Sequence, residues 1–374
     1  MSTRATHTHT LPGPHTLPGL RAFTHEAMNT VFDFRILHAD ARYARQAAQA
    51  AFAEVGRLEK LLSRFHEGSD VWRVNHAADG EFVTISEDTH ACLRQAVLMS
   101  AATQGAFNAT LGEAADLAKK HAPKKAPAAP LRAALKRSAT ALISLLENEF
   151  LARVERGGLS LDLGAIGKGY ALDRARALLA EWEIENALLS AGGSSLLAFG
   201  TGPAPSNRDG WPVNIAGDKQ KTPLTLRDSA LGASGTAEQG RHIIDPRRGA
   251  QTYAHARAWA LAPDAATADA LSTACMTMHP REIARALRAL GDGHAAITED
   301  AAGSLRIHRH SGVWTPIGNA RRGMRGRDSD WERRLPAGRR RAAPPEPAGK
   351  MPAPPVAVAS FAKPSKTARN LNPQ

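Results

Sequence analysis

The chain has 374 residues, of which 43% are apolar and 22% charged, so it is long enough for one large domain or two ordinary ones around a sizeable core. Its formal net charge of +12 is unevenly distributed, because residues 321–374 contain thirteen Lys or Arg and four Asp or Glu, a net charge of +9. The other 320 residues carry only about +3, so the charge of the folded part does not indicate a nucleic-acid-binding protein.

The N-terminal residues and the cysteines bear on the compartment. The first twenty residues contain no apolar run that would serve as a signal peptide or membrane span, so we expect a cytoplasmic protein. Cys92 and Cys275 lie far apart in apolar helical patterns, which argues against a disulfide framework and for a reducing compartment.

The N-terminal third predicts a disordered leader, a strand and a long helix. Residues 1–20 repeat HTLPG and are rich in Pro, Gly and Thr, so they cannot bury enough apolar surface to fold alone. From Phe23 to Leu37 β-type residues alternate with others and predict a strand. Apolar residues between Ala41 and Leu62 recur at intervals of three and four, which predicts a helix.

A strand at Glu81–Ile85, a helix from Thr89 to about Thr103 and a loop at Gly105–Thr110 are predicted next. Residues 119–137 then turn rich in Ala, Pro and Lys, which is typical of a basic surface insertion rather than of core. No aromatic residues are interleaved there for base stacking, so a nucleic-acid role stays open but is not favoured.

The segment from Leu159 to Ala180 combines a predicted strand, a glycine-rich turn and the start of a helix. Asp162 stands at the mouth of the turn and Lys168 follows it, while the free N–H groups of a helix start suit a phosphate. The glycine spacing is GxxGxG, so it matches neither the Rossmann fingerprint nor the Walker loop. A tight turn with a surface lysine is the simpler interpretation.

The second half predicts alternating strands, loops and helices. Leu231–Gly249 is mostly polar and rich in glycine, so we expect a loop, a short HII strand and a turn at Asp245–Pro246. The other predicted strands are Asn186–Leu189, Trp211–Ile215, Ala295–Thr298 and Leu305–His308, with a glycine turn at Ser190–Ser195 and helices at Ala265–Met278 and Arg281–Leu290. Residues 319–374 are predicted to be a disordered basic tail, either solvated or touching anionic partners.

Two groups of side chains are candidates for chemistry. Asp269, Ser272 and Thr273 project from one face of a predicted helix, and oxygen ligands of this kind suit Mg²⁺, although a solvated helix start is the alternative. His242 lies three residues before Asp245, and a histidine near its ordinary pKa is a natural general base that a carboxylate can orient. A structural strand histidine is the alternative.

Taken together, several segments resemble the FAD:protein FMN transferase (ApbE) family over roughly Ala27 to Ile307. The matching segments, in consistent order, are AMNT at 27–30, LSRF at 62–65, SDVWRVN at 69–75, GAFNAT at 105–110, LDLGAIGKGYALDRA at 161–175, ALLSAGG at 187–193, SG at 234–235, HIIDPRRG at 242–249 and ADALSTA at 268–274. Each segment alone is weak, but their joint order is specific.

The resemblance implies an α+β, two-lobed ApbE-type fold with mixed or antiparallel sheets flanked by helices. The flavin transferase domain would span residues 21–318. The enzyme would use FAD as a substrate and Mg²⁺ as a cofactor, and would transfer FMN to a Thr or Ser hydroxyl of an acceptor flavoprotein of an electron-transfer system, releasing AMP. A flavin-binding protein with a degenerate site and an FAD pyrophosphatase are the alternatives, and no specific nucleic acid is expected.

By motif position, the resemblance assigns the site residues. His242 would be the catalytic base. The FAD site would be lined by Met28, Phe65, Ala106, Phe107, Asn108, Asp162, Lys168, His242 and Ile243. Magnesium would be bound by Asp269, Thr273 and the carbonyl of Ala165.

This chain departs from the family pattern at a few positions. Asn29 stands where glycine is usual, and Asn108 and Ser194 stand where aspartate is usual. Thr236 and Ala237 replace the usual DY after SG. Loss of a carboxylate at two of these positions would weaken substrate orientation or narrow the range of protein targets.

Overall fold

An antiparallel sheet of eight strands organises the computed structural model of this protein. The structure describes residues 9–10, 18–121, 127–138, 143–146, 149–203, 209–216, 221–235, 244–249 and 254–309. The predicted basic tail, most of the predicted leader, and His242 and Ile243 lie outside these residues.

The strands form three antiparallel sheets. In chain order they are β1 (His9–Thr10), β2 (Leu20–Ala27), β3 (Thr30–Leu37), β4 (Phe82–Thr84), β5 (Ile143–Leu146), β6 (Leu151–Val154), β7 (Ala187–Ala191), β8 (Ser195–Phe199), β9 (Trp211–Ala216), β10 (Lys221–Leu226), β11 (Ser229–Gly235), β12 (Arg257–Ala262), β13 (Ala295–Glu299) and β14 (Leu305–Arg309). The large sheet has the order β14-β13-β12-β11-β8-β7-β3-β2, and the small sheets are β1-β9-β10 and β4-β6-β5.

Eight helices occur in the described part of the chain. They are α1 (Ala41–Leu62), α2 (Asp70–His76), α3 (Glu87–Ala102), α4 (Gly112–His121), α5 (Ala128–Lys136), α6 (Gly167–Glu181), α7 (Ala265–Cys275) and α8 (Pro280–Leu290). The predicted helix over Ala41–Leu62 is confirmed, and Asp40 caps it by accepting the N–H groups of Arg42 and Tyr43. No helix among the described residues has the length and apolar character needed to cross a bilayer.

The large sheet separates two hydrophobic cores because successive side chains of a strand point to opposite faces. Leu189 of β7 and Leu197 of β8 join the larger core, which also contains buried residues of α1, α3, α6 and α7. Leu188 and Leu196 point the other way and pack with Trp211 of β9. The expected α+β architecture of antiparallel sheets with flanking helices is therefore confirmed.

Two predicted strands are wrong in detail. Phe23–Leu37 forms a hairpin of β2 and β3, because Met28 and Asn29 adopt left-handed φ angles of 51° and 57° and reverse the chain. The alternation at Leu159, Leu161 and Leu163 correctly predicts three buried side chains. This segment is nevertheless no strand, because its one β-type pairing is the isolated bridge between Ser160 and Leu111.

Two segments predicted to be irregular contain regular structure. The first residues of the predicted 231–249 loop continue β11 to Gly235, which pairs with β12 on one side and β8 on the other. The basic insertion of 119–137 contains the end of α4 and all of α5. Leu131 and Ala134 of α5 are buried in a small third core, so this insertion is partly core rather than purely surface. Within the predicted leader, His9 and Thr10 pair with β9.

Helix α7 is held unusually close to its neighbours on both sides. A Cβ atom at Gly169 of α6 would lie 2.2 Å from the carbonyl oxygen of Ala265, and one at Gly232 of β11 would lie 2.3 Å from that of Ala268. Both distances are far below a normal van der Waals contact, so only glycine allows these approaches. This packing fixes the position of α7 against α6 and β11.

We expect Gly232→Ala to destabilise the protein by about 1–3 kcal/mol, because the added methyl group must push α7 away from β11. Gly56→Ala is the matched control: Gly56 lies within α1 and its Cβ position has no atom within 4 Å. The control should be neutral or stabilising by up to about 1 kcal/mol. Urea unfolding of both variants measures the difference, and equal midpoints would contradict this account of the packing.

Candidate functional site

The extended segment from Leu159 to Gly164 is part of the candidate site. Residues that are distant in the chain form hydrogen bonds with its backbone. The Asn75 side chain of α2 accepts the N–H of Leu161 at 2.6 Å and donates to its carbonyl at 3.1 Å. The N–H of Asp162 donates to the carbonyl of Ala109 at 2.7 Å. Three of the family-like segments therefore meet here, namely SDVWRVN, GAFNAT and LDLGAIGKG.

The carboxylate of Asp162 contacts both the glycine-rich turn and the guanidinium of Arg64. Its Oδ1 accepts the N–H of Gly164 at 2.8 Å, and its Oδ2 lies 3.2 Å from Nε of Arg64. The Arg64 guanidinium also donates to Asp116 of α4 at 2.8 Å and lies 4.3 Å from the ring centre of Phe65. The Phe65 ring is 73% exposed, so an accessible aromatic face stands beside this charged group.

Asp269 of α7 faces the start of α6. Its Oδ2 accepts the N–H of Gly169 at 2.8 Å and the hydroxyl of Ser195 at 2.8 Å. Burial raises the pKa of the Asp269 carboxyl to about 6, although Lys168, Ser195 and the Gly169 N–H all act to lower it. The groups around Asp269 therefore offset only part of the free-energy cost of burying its negative charge.

Lys168 lies in the first turn of α6. Its Nζ donates to the carbonyl of Gly164 at 3.0 Å, in the same turn that Asp162 caps. Its charge is also the strongest of the influences that lower the pKa of Asp269. The structure therefore brings Asp162, Lys168 and Asp269 together around the N-terminus of α6.

The N-terminus of α7 is fixed by a carboxylate that the sequence analysis missed. Asp173 of α6 accepts the N–H of Ala265 at 2.7 Å and that of Ala266 at 2.9 Å, while Asp264 caps the same helix through Thr267. Burial, reinforced by neighbouring carboxylates, raises the pKa of Asp173 to about 7. Asp173 belongs to the LDLGAIGKGYALDRA segment, and its place in this family-like motif is the signal that points to it.

Thr273 and Ala165 are the other two residues predicted to bind magnesium. Thr273 lies one turn after Asp269 on α7, and its hydroxyl is 3.2 Å from Oγ of Ser234 on β11. The backbone ladder of α6 begins at the carbonyl of Ile166, which accepts from Tyr170 at 3.0 Å, so the ladder does not need the carbonyl of Ala165. This donor set fits a hard cation that takes oxygen ligands and keeps waters.

No group of three or more His, Cys, Asp or Glu side chains able to hold a metal ion occurs within the described ranges. A cation at α7 would therefore depend on one carboxylate together with hydroxyl and carbonyl oxygens. That composition is poor for Zn²⁺ and compatible with Mg²⁺.

The remaining predicted flavin-site residues differ in accessibility. Met28 is half-buried in the β2–β3 turn, where its N–H donates to Glu59 at 2.6 Å. Ala106 and Phe107 are buried in the larger core and their N–H groups bond to Thr103, so only their carbonyl groups are available to a ligand. Asn108 donates to the carbonyl of Ser138 and accepts the N–H of Thr110 at 2.8 Å.

His242 and Ile243 lie outside the described residues, but the segment that follows them is well anchored. Ile244 is buried against α4 and α5, and Asp245 is fully buried. Both oxygens of Asp245 accept bonds from Arg247, at 2.9 Å each, and Arg247 also donates to Glu282 of α8 at 2.8 Å. Asp245 therefore pairs with Arg247, and whether it also orients His242 stays a prediction because His242 lies outside the described residues.

Known proteins show which family this arrangement belongs to. A sequence model described as the ApbE family matches residues 28–298. The FAD:protein FMN transferase of Klebsiella pneumoniae (strain 342) is 30% identical over 217 residues, which are 54% of this chain and 66% of that protein. That of Treponema pallidum (strain Nichols) is 28% identical over 257 residues, which are 62% and 71% of the two chains.

Solved structures agree at the level of the fold. The ApbE protein of Thermotoga maritima has a TM-score of 0.66 and 24% identity, with 77% of this chain and 97% of that chain covered. The apo flavinyl transferase ApbE of Pseudomonas stutzeri has a TM-score of 0.66 and 23% identity, with 78% and 95% covered. Because the family model covers well over half of the sequence, the chain belongs to the ApbE family.

Proposed function

We propose that this protein transfers the FMN part of FAD to a Thr or Ser hydroxyl of an acceptor protein and releases AMP. The observation that carries the proposal is the meeting of Asp162, Lys168 and Asp269 at the N-terminus of α6. The charge of a lysine and the positive end of a helix dipole favour a pyrophosphate, and a half-compensated carboxylate favours a cation beside it. The relatives named as FAD:protein FMN transferases support the same activity.

The reaction requires positioning and charge neutralisation more than covalent help from the enzyme. The acceptor oxygen would form a bond to the phosphorus that carries FMN, while the bond from that phosphorus to the oxygen of AMP breaks and AMP leaves with the electron pair. Lys168 would offset negative charge on the phosphates. His242 would take the proton of the attacking hydroxyl, a role usually worth about 10²–10⁴ in rate.

Magnesium would be held by the carboxylate of Asp269, the hydroxyl of Thr273 and the carbonyl of Ala165. Bound there, Mg²⁺ would supply Lewis-acid stabilisation of the pyrophosphate charge. Asp269 would keep its position through Ser195 and the Gly169 N–H, both of which bond to Oδ2 and leave Oδ1 without a hydrogen bond from the described residues. This division between a positioned and a ligating oxygen supports the assignment.

The flavin nucleotide would lie along the segment that Asp162 and Phe65 border. The exposed Phe65 ring offers a stacking face, and Asp162 offers a hydrogen-bond acceptor close to it. Met28, Asn108, His242 and Ile243 would complete the lining, with Ala106 and Phe107 contributing backbone groups. The acceptor would be a flavoprotein of an electron-transfer system.

The activity itself is tested by incubating the purified protein with FAD, Mg²⁺ and a candidate acceptor. We expect the acceptor to gain the mass of FMN and in-gel flavin fluorescence, with AMP released in equal amount. Release of AMP and free FMN without an acceptor would instead identify an FAD pyrophosphatase. Tight FAD binding without AMP release would identify a flavin-binding protein.

We expect His242→Ala to lose about 10²–10⁴ in transfer rate, because no other group would accept the hydroxyl proton. FAD affinity should change much less than the rate, since His242 would be only one of several residues that line the FAD site. His294→Ala, on a histidine whose ring bonds to backbone carbonyls of the α8–β13 turn, is the control and should retain full rate. Single-turnover AMP release and FAD titration measure the two effects, and a normal rate for His242→Ala would refute this role.

Magnesium binding should weaken as the pH falls, because the proton and the metal compete for the Asp269 carboxylate. With a pKa of about 6, most molecules carry the charge at neutral pH and few do at about pH 5, so the apparent affinity should fall about tenfold between them. Calorimetric titration of Mg²⁺ in the presence of FAD measures this change.

Two variants test whether Asp269 is responsible. Asp269→Asn should lose both the Mg²⁺ affinity and its pH dependence, because the amide carries no charge. Asp292→Asn, on an exposed aspartate in the α8–β13 turn, should leave both unchanged. Retention of the pH dependence in Asp269→Asn would show that another group binds the metal.

A further inference from the structure

The helices α4 and α5 carry a basic surface that the proposed reaction does not use. We propose that this surface, defined by Lys119, Lys120, Arg132 and Lys136, binds an acidic segment of the acceptor protein and presents its hydroxyl to the site. The inference rests on the proposed function, since it concerns how a protein substrate is recognised.

The C-terminal end of α5 is tied directly to the GAFNAT loop of the site. The carbonyl of Ser138 accepts hydrogen bonds from Asn108 and from the hydroxyl of Thr110, the latter at 2.6 Å. Lys136 lies two residues before this anchor. One edge of the basic surface is therefore held next to a segment that contributes to the flavin site.

The two helices are also fixed to the Asp162 turn and to the segment after His242. Arg64 bridges Asp116 of α4 and Asp162. Ile244, two residues after the proposed base, packs in the small core with buried residues of both helices, which are Ala114, Ala118, Leu131 and Ala134. A protein bound on α4 and α5 would thus lie next to the Asp162 turn and to the segment that begins at Ile244.

The charges on this surface are not balanced within it. Lys119, Lys120, Arg132 and Lys136 are exposed, and none forms an ion pair with any residue that the structure describes. The two acids of α4 are already engaged, Glu113 by Arg137 and Asp116 by Arg64. Four cations without local partners attract an anionic group.

The orientation of the cations favours a macromolecule over FAD itself. The inward faces of α4 and α5 are the alanines and leucine of the small core, so the exposed cations point to solvent. Residues 111–138 contain no Phe, Tyr or Trp that would stack on bases, which argues against a nucleic acid. An acidic protein segment matches both features.

The test uses the full chain and a short fluorescein-labelled peptide in which Glu residues flank one Thr, compared with a peptide in which Gln replaces each Glu. We expect the protein to bind the acidic peptide more tightly than the Gln peptide. The triple variant Lys119→Glu, Lys120→Glu, Lys136→Glu should lower the affinity for the acidic peptide at least about fivefold. The neutral variant with Gln at the same positions should lie between. Carbodiimide coupling followed by mass spectrometry should join peptide carboxylates to these lysines.

A second triple variant, Arg42→Glu, Arg94→Glu, Arg306→Glu, makes the same change of net charge on three other elements at exposed positions and is the control. Binding of the acidic peptide should stay within about twofold of that of the unaltered protein, because these three positions lie outside α4 and α5. The basic tail is present in every variant, so it does not account for a difference between them. Equal loss in the control, equal binding of the two peptides, or capture of a short RNA by these lysines in place of the peptide would overturn the inference. FAD binding, measured in parallel, must be unchanged; its absence in the unaltered protein would overturn the proposed function separately.

Discussion

The close packing of α7 is the constraint on which the site depends. Two backbone contacts, at Gly169 and at Gly232, hold this helix between α6 and the centre of the large sheet. Asp173 then fixes the helix along its own axis by accepting its first two free N–H groups. With its position set on two sides and at one end, α7 can direct Asp269 only at the start of α6.

That placement has an electrostatic consequence. Asp269 meets the positive end of α6, the hydroxyl of Ser195 and the charge of Lys168, all of which favour the carboxylate, yet burial still raises its pKa to about 6. A carboxylate that remains under-compensated gains more from a nearby cation than one on the surface does. The charge of Lys168 also offsets part of the repulsion that the Asp269 carboxylate would exert on a second anion. A cation and a pyrophosphate would therefore stabilise each other at this point.

Much of the fold follows from local patterns, and the failures have a common cause. The period of α1 and the burial alternation of Leu159, Leu161 and Leu163 depend on neighbouring residues, so the sequence predicts them. The β2–β3 turn was missed because it uses Met28 and Asn29 in left-handed conformations without a glycine. The alternation over Leu159–Leu163 predicts a strand wrongly, because alternation does not reveal whether a partner strand exists.

The site shows the same limit. Asp269 and Thr273 could be proposed from helical spacing, and His242 from its type, because each is a property of a short segment. Arg64, Asn75, Asp173 and Ser195 could not, because each acts on a segment that is far away in the chain. The sequence therefore suggests candidates for the chemistry more readily than it reveals the residues that position them.

The structure explains how this chain accommodates two of its departures from the family pattern, Asn29 and Asn108. Asn29 adopts a φ of 57°, which glycine accepts freely and asparagine more readily than other side chains, so the turn survives the change. At position 108 an aspartate would turn a carboxylate oxygen toward the carbonyl of Ser138, whereas the amide of Asn108 donates to it. The asparagine thus suits a chain in which α5 is fastened to the GAFNAT loop.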